Sequence, residues 1–274
     1  MNGTTNQLLS LITYGNQFLK TGELITAYFP ANNVFKFCNK TDFVYLVSLP
    51  DGTATEEVAA ANPLDWFKLL KQEGCRKLMA YYHPSEGNES ETPDHKLAGF
   101  VGGGGTWLIE AVYASHSDYW AARWEVTHPD DPESSIWSVS YGRTVAQAET
   151  ICFKPDPLQV SQGLNDVLVD IKQFAQQHQL NNWADIFQEA LNILNGSAAV
   201  NNWHSDSINE YGYERSSLQL IYAAMSAHVF GGMGSWNDLG FDNPEDNQQY
   251  DTLSFYLYDY INRALISGIN SVNI

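Results

Sequence analysis

Positive charge is scarce in this chain: 14 Lys and Arg stand against 32 Asp and Glu, and the net charge is −18. From Pro155 onward the only cations are Lys172, Arg215 and Arg263. Nucleic-acid binding draws its affinity from Lys and Arg that displace counter-ions at phosphates, so the shortage disfavours DNA and RNA as partners. Cysteine is scarce as well. Cys38, Cys75 and Cys152 are far apart and odd in number, which argues against a disulfide framework and against a thiolate metal site with close ligand spacing. No run approaches the roughly 20 apolar residues of a membrane-spanning helix. The opening residues MNGTTNQLLSLITYGNQF lack the basic n-region of a signal peptide. The expectation is a cytoplasmic protein that does not enter a membrane.

Catalytic signatures are missing too. There is no His-Glu-x-x-His, no Gly-x-Ser-x-Gly and no cysteine in a local nucleophile motif. Gly102-Gly-Gly-Gly105-Thr106 lacks the Lys-Ser/Thr of a phosphate loop and leads into strand-like text. It reads as a hairpin tip or bulge where backbone approaches something closely. His204-Ser-Asp206 and His116-Ser-Asp118 are two-residue fragments, short of the three protein ligands a catalytic zinc takes. No cofactor and no metal site is expected, and no catalytic residue is assigned.

What is present is ample material for a core: 44% of residues are hydrophobic and 13% aromatic, far from the composition of disordered chains. An apolar stripe from Leu8 to Leu19 predicts a first helix ending near Gly22. Leu24 to Phe29, Val34 to Phe37 and Phe43 to Leu49 read as strands, stopped by Pro50-Asp-Gly52. Asn62-Pro63 caps a short helix through Lys71. From Arg76 to Arg143 the runs KLMAYYH, KLAGFV, TWLIEAVYA, DYWAARWEV and IWSVSYGRT read as an antiparallel meander with short connections. Alternation in the last two predicts Trp120, Trp124, Trp137 and Val139 inside, with Arg123 and Ser138 more exposed.

After Lys154 the hydrophobic period changes from two to about 3.6. Asp156-Pro157 opens a first helix that breaks near Asn181. A second is stopped by Asn195-Gly196, a third by Gly231-Gly232, and Asn243-Pro244 opens a fourth. The fold class expected is α+β: an antiparallel or mixed sheet within residues 1–154, with a four-helix segment, 155–274, packed on it. The two segments share an interface and count as one domain or two.

Two groups of residues stand out as candidate sites. Arg123 and Glu125 share a strand face with Ser138 and Ser140, which cross-strand ion pairing on a wet sheet face explains as readily as acid–base chemistry. The string Phe230 to Leu239 places Ser235, Trp236, Asn237 and Asp238 after three glycines. Those side chains suit either a loop pinned by its own hydrogen bonds or a recognition loop.

The run GGMGSWND at 231–238, preceded by NNWADIFQEALNIL at 181–194, resembles a group of bacterial proteins with a Gly-Gly-Met-Gly-Ser-aromatic-Asn-Asp turn, among them immunity proteins of toxin systems. The resemblance spans about residues 160–240 and implies no catalytic residue. It points, with the charge, to a binding protein that covers the basic surface of a toxin. Two other readings stay open. One is a hydrolase-type enzyme with a site between sheet and helices that uses Glu110, Glu125, Asp118 or His204. The other is a structural homo-oligomer with Tyr and Trp at its interface.

Overall fold

A computed structural model describes residues 3–24, 27–48, 54–85, 92–198 and 206–273. Helix α1 (Gly3–Thr21) leads through a 3-10 turn (Asn33–Phe35) to strands β1 (Cys38–Ser48) and β2 (Ala54–Ala60), then α2 (Pro63–Gln72), β3 (Lys77–His83) and the short α3 (Asp94–Leu97). Strands β4 (Thr106–Val112), β5 (Ser117–Val126) and β6 (Trp137–Ala148) follow. The chain ends in α4 (Pro157–Gln177), α5 (Asn181–Leu194), α6 (Arg215–Ser226) and α7 (Pro244–Ile269).

The fold is α+β, with a mixed sheet of strand order β2-β1-β6-β5-β4-β3. The meander β3 to β6 is antiparallel throughout. β1 adds to its far side in parallel with β6, and β2 returns antiparallel along β1. On the inner face Phe43, Trp66, Trp120 and Tyr141 form one aromatic cluster, Phe43 lying flat on Trp66 at 4.2 Å and on Tyr141 at 5.2 Å. The four C-terminal helices form a closed bundle, α4 packing on α5 and α7 while α6 packs on the same two. No helix among the described residues is long and apolar enough to cross a membrane.

Helix α1 departs from the expected one-sided stripe. Leu8, Leu9, Leu11 and Ile12 are fully buried, and so are Gln7, Ser10, Thr13, Asn16 and Gln17. Burying a polar amide costs free energy unless it is hydrogen-bonded, and Asn16 shows how it is met. Its Nδ2 donates to the Leu78 carbonyl at 2.9 Å while its Oδ1 accepts the Leu78 N–H at 2.7 Å. Asn270, the C-cap of α7, does the same to Ala80, with bonds of 2.8 and 2.7 Å. β3 is the last strand of the sheet, so these two amides occupy an edge that would otherwise pair with another chain. They also tie the sheet to both helical layers.

The capped helices agree with the sequence. Asn62, Asp156 and Asn243 each accept a first-turn backbone N–H and are each followed by proline. Other expectations are corrected. Val34 to Phe37 holds a 3-10 turn instead of a strand, because the Asn32 side chain accepts the Val34 N–H at 3.1 Å and competes locally with extended pairing. The described residues of Leu24 to Phe29 are not strand, and Ile25 and Thr26 lie outside the described residues. KLAGFV becomes the end of α3 and a turn, and β2 is a strand that the sequence did not reveal. Trp120 and Val139 are buried as expected, whereas Trp124 and Trp137 are only half-buried and pack edge-to-face at 5.9 Å. α6 stops at Ser226, before Gly231-Gly232. Pro50-Asp-Gly52 lies outside the described residues.

Candidate functional site

On the outer sheet face, Arg123 lies opposite Ser140, and Glu125 opposite Ser138. The Arg123 guanidinium grips Glu56 with two nitrogens and reaches Glu125 through Nε at 3.1 Å. Its hydrogen bonds hold the Glu56 carboxyl below its ordinary range. Beside it Asp42, almost wholly buried, accepts the Ser140 hydroxyl at 2.6 Å and pairs with Lys40 at 2.6 Å. Arg123 and Glu125 are exposed, and the guanidinium is shared between Glu56 and Glu125. This is cross-strand ion pairing on a solvated face, a weak contributor to stability.

The carboxylates named for acid–base work serve separate structural tasks. Glu110, fully buried, accepts the Tyr119 hydroxyl at 3.0 Å and the N–H groups of Ile151 and Cys152 at 3.0 and 3.2 Å. It fixes the strap that leaves β6 for α4. Asp118 accepts from Arg143 at 3.1 Å and from the Gln147 N–H at 2.7 Å, with His116 Nε2 4.0 Å away. His204 lies outside the described residues. Among the described residues no three His, Cys, Asp or Glu side chains are grouped to hold a metal ion. The large cavity between sheet and helices is lined by none of Glu110, Glu125 or Asp118.

The loop after α6 is built from its own hydrogen bonds. Ser235 accepts the Asn237 N–H and donates to the Gly231 carbonyl at 3.0 Å, and Asp238 accepts the Gly234 N–H. Gly234 takes φ +85°, where a side chain would be strained. Gly231 and Gly232 have no positive φ, so the helix C-cap expected there is absent. Gly231 serves a close approach instead: a β-carbon on Gly99 would collide with its carbonyl oxygen. Asn237 Nδ2 then donates to the His95 carbonyl at 2.8 Å, bonding the loop after α6 to α3.

Trp236 is the anchor of this loop. It is fully buried, packs edge-to-face on Trp183 and Phe187 at 5.6 and 5.3 Å, and donates its indole N–H to Ser254 at 2.8 Å. A ring with no exposed surface cannot meet a partner, so the recognition role weighed for Trp236 is corrected to a structural one. Ser235 and Asp238 bond backbone within the loop, whereas Asn237 bonds the distant His95 carbonyl through Nδ2 and its buried Oδ1 has no hydrogen-bond partner among the described residues.

What the two loops present outward is apolar. Met233 is 100% exposed, Phe100 66% and Val101 54%, and each lies within two residues of the Gly99–Gly231 approach. The sequence alone does not mark them: Met233 stands between glycines, and Phe100 and Val101 fall in the strand-like run KLAGFV. The available signal was a large apolar residue inside a glycine turn that has nothing to pack on. Comparison with known proteins adds no kinship to this geometry, since no family model, curated protein or solved structure significantly matches the chain.

Proposed function

We propose that this chain is a protein-binding protein that docks a basic partner on the platform of Phe100, Val101 and Met233, as an immunity protein would cover a cationic toxin surface. The observation that carries this reading is three exposed apolar side chains on two loops that meet at Gly99 and Gly231, one of them anchored by a buried tryptophan and bonded to α3. A contact surface that is rigid before binding loses less conformational entropy on association. Charge supports the sign of the partner. Between Arg215 and Arg263 the chain carries Asp238, Asp242, Glu245, Asp246, Asp251 and Asp259 and no Lys or Arg. A cytoplasmic setting belongs to the same proposal.

The test is titration of the protein against the product of the adjacent gene, where a toxin would be encoded. Binding should weaken as salt rises, and Met233→Asp should weaken it by roughly tenfold or more, as loss of a central contact does, with the melting temperature unchanged. Binding indifferent to Met233→Asp and to Phe100→Ala would overturn the platform. A chain that elutes as a dimer, and as a monomer once Met233→Asp is made, would give the platform to a second copy.

A further inference from the structure

We propose that the cavity between β3, α3 and α7 is a binding site for a small apolar molecule whose polar end is an amine. The cavity measures about 550 Å³, within the range of small-molecule sites. Its walls include Phe153, Phe255, Tyr258 and Ile266 together with the prolines of the strap and of the α3 entry. Phe153 and Phe255 are 46% and 55% exposed, so the cavity has an apolar mouth.

The polar atoms of the wall define the ligand's other end. Asp94 is half satisfied: its Oδ2 accepts the Tyr82 hydroxyl and the Ser85 N–H, each at 3.0 Å, while its buried Oδ1 has no hydrogen-bond partner among the described residues. His95, 2% exposed, has no hydrogen-bond partner on either ring nitrogen among the described residues. Burial holds its imidazole neutral, with its pKa pushed down to about 4. Orphaned polar atoms are uncommon in folded proteins, and each is expected to meet a water, an ion or a ligand. A carboxylate oxygen that lacks a donor takes an N–H, and a neutral imidazole carries one acceptor nitrogen.

Charge and ring faces choose among donors. Among the described residues the one cation in the wall, Arg263, is spent on Asp259 at 2.9 Å, leaving the Asp94 carboxylate to set the local sign. Phe153, Phe255 and Tyr258 line the cavity, and aromatic rings favour an ammonium group over an anion. The protein's net charge of −18 raises the local concentration of cations and repels anions.

Three probes of one size distinguish the possibilities: naphthylmethylamine, naphthylmethanol and naphthoic acid, each titrated calorimetrically into the full chain. The amine should bind tightest, at least about tenfold tighter than the acid, with the alcohol between. Asp94→Asn, checked for an unchanged melting temperature, should erase the amine's advantage over the alcohol. Phe255→Ala at the mouth should weaken all three alike, and it decides the matter with the parent chain if Asp94→Asn does not fold. An acid that binds as well as the amine, an amine preference that survives Asp94→Asn, or no binding by any probe would overturn the proposal. Met233→Asp should leave probe binding unchanged, so this site and the protein-binding platform stand or fall separately.

Discussion

The side-chain amide of Asn270 takes both the N–H and the C=O of Ala80, at 2.7 and 2.8 Å, and so completes the ladder of β3 from the C-cap of α7. Its Nδ2 also reaches the Phe153 carbonyl at 2.8 Å, so one amide joins the edge strand, the strap and the helical bundle. Asn270→Ala would strand the buried N–H and C=O of Ala80 and the partly buried Phe153 carbonyl, at about 1–3 kcal/mol for each buried group left unmet. The expected loss is therefore larger than for an exposed cap such as Asn243, where alanine costs about 1 kcal/mol. Urea unfolding of both variants checks this order. Equal losses would mean that the β3 edge finds other partners.

Glu110 organises the strap on the outer face in a similar way. Glu110→Leu removes the acceptor for the Tyr119 hydroxyl and for the N–H groups of Ile151 and Cys152, and should destabilise by roughly 3 kcal/mol or more. Glu110→Gln keeps one carbonyl oxygen and should cost less. A catalytic part for Glu110 would give the reverse sign of evidence, a Glu110→Gln variant of full stability that has lost an activity.

His95 supplies a pH dependence whose sign follows from burial. Desolvation, aided by Lys96 and opposed by Asp251 and Asp94, lowers its pKa to about 4 from an ordinary 6.5. Between those values the unfolded chain binds a proton that the folded chain does not, so this contribution is complete above pH 6.5 and fades as pH falls toward 4. After allowance for solvent screening it amounts to on the order of 1–2 kcal/mol. Carboxylates titrate in the same window, so the difference between parent and His95→Phe isolates the term. The parent should lose more stability than His95→Phe on going from pH 7 to pH 5.

Local chemistry was legible in the sequence and long-range pairing was not. Asn62, Asp156 and Asn243, each before a proline, mark helix starts through bonds within one turn of chain. The insertion of β1 in parallel beside β6 joins Phe43 to Tyr141 across almost a hundred positions, and no local pattern encodes it. Helix α1 hid its second buried face because Gln7, Asn16 and Gln17 look like solvent residues until their partners are known. In the loop after α6 the polar letters drew attention, yet they hold the turn together. The outward residue is Met233, whose meaning depends on Gly231 meeting Gly99, the residue before Phe100.

The four glycines at 102–105 yield a graded prediction. Gly102 and Gly104 both hold positive φ, +78° and +85°, so alanine at either strains the backbone by about 1 kcal/mol. Their surroundings differ. A β-carbon on Gly102 meets nothing within 4 Å, whereas on Gly104 it would stand 2.6 Å from the Tyr258 hydroxyl and 2.9 Å from the Ala98 Cα. The Gly104 carbonyl also accepts the Tyr258 hydroxyl at 2.6 Å, and the Tyr258 ring stands with Tyr82 in the wall of the cavity. Gly104→Ala must therefore displace Tyr258 or the backbone of α3's last turn. It should cost several kcal/mol where Gly102→Ala costs about 1. Thermal unfolding of the pair measures the gap. Because the displaced ring belongs to the cavity wall, Gly104→Ala should also weaken naphthylmethylamine binding while Gly102→Ala leaves it intact. Equal melting temperatures would mean that the close packing of Gly104 against Tyr258 is not a feature of the folded protein.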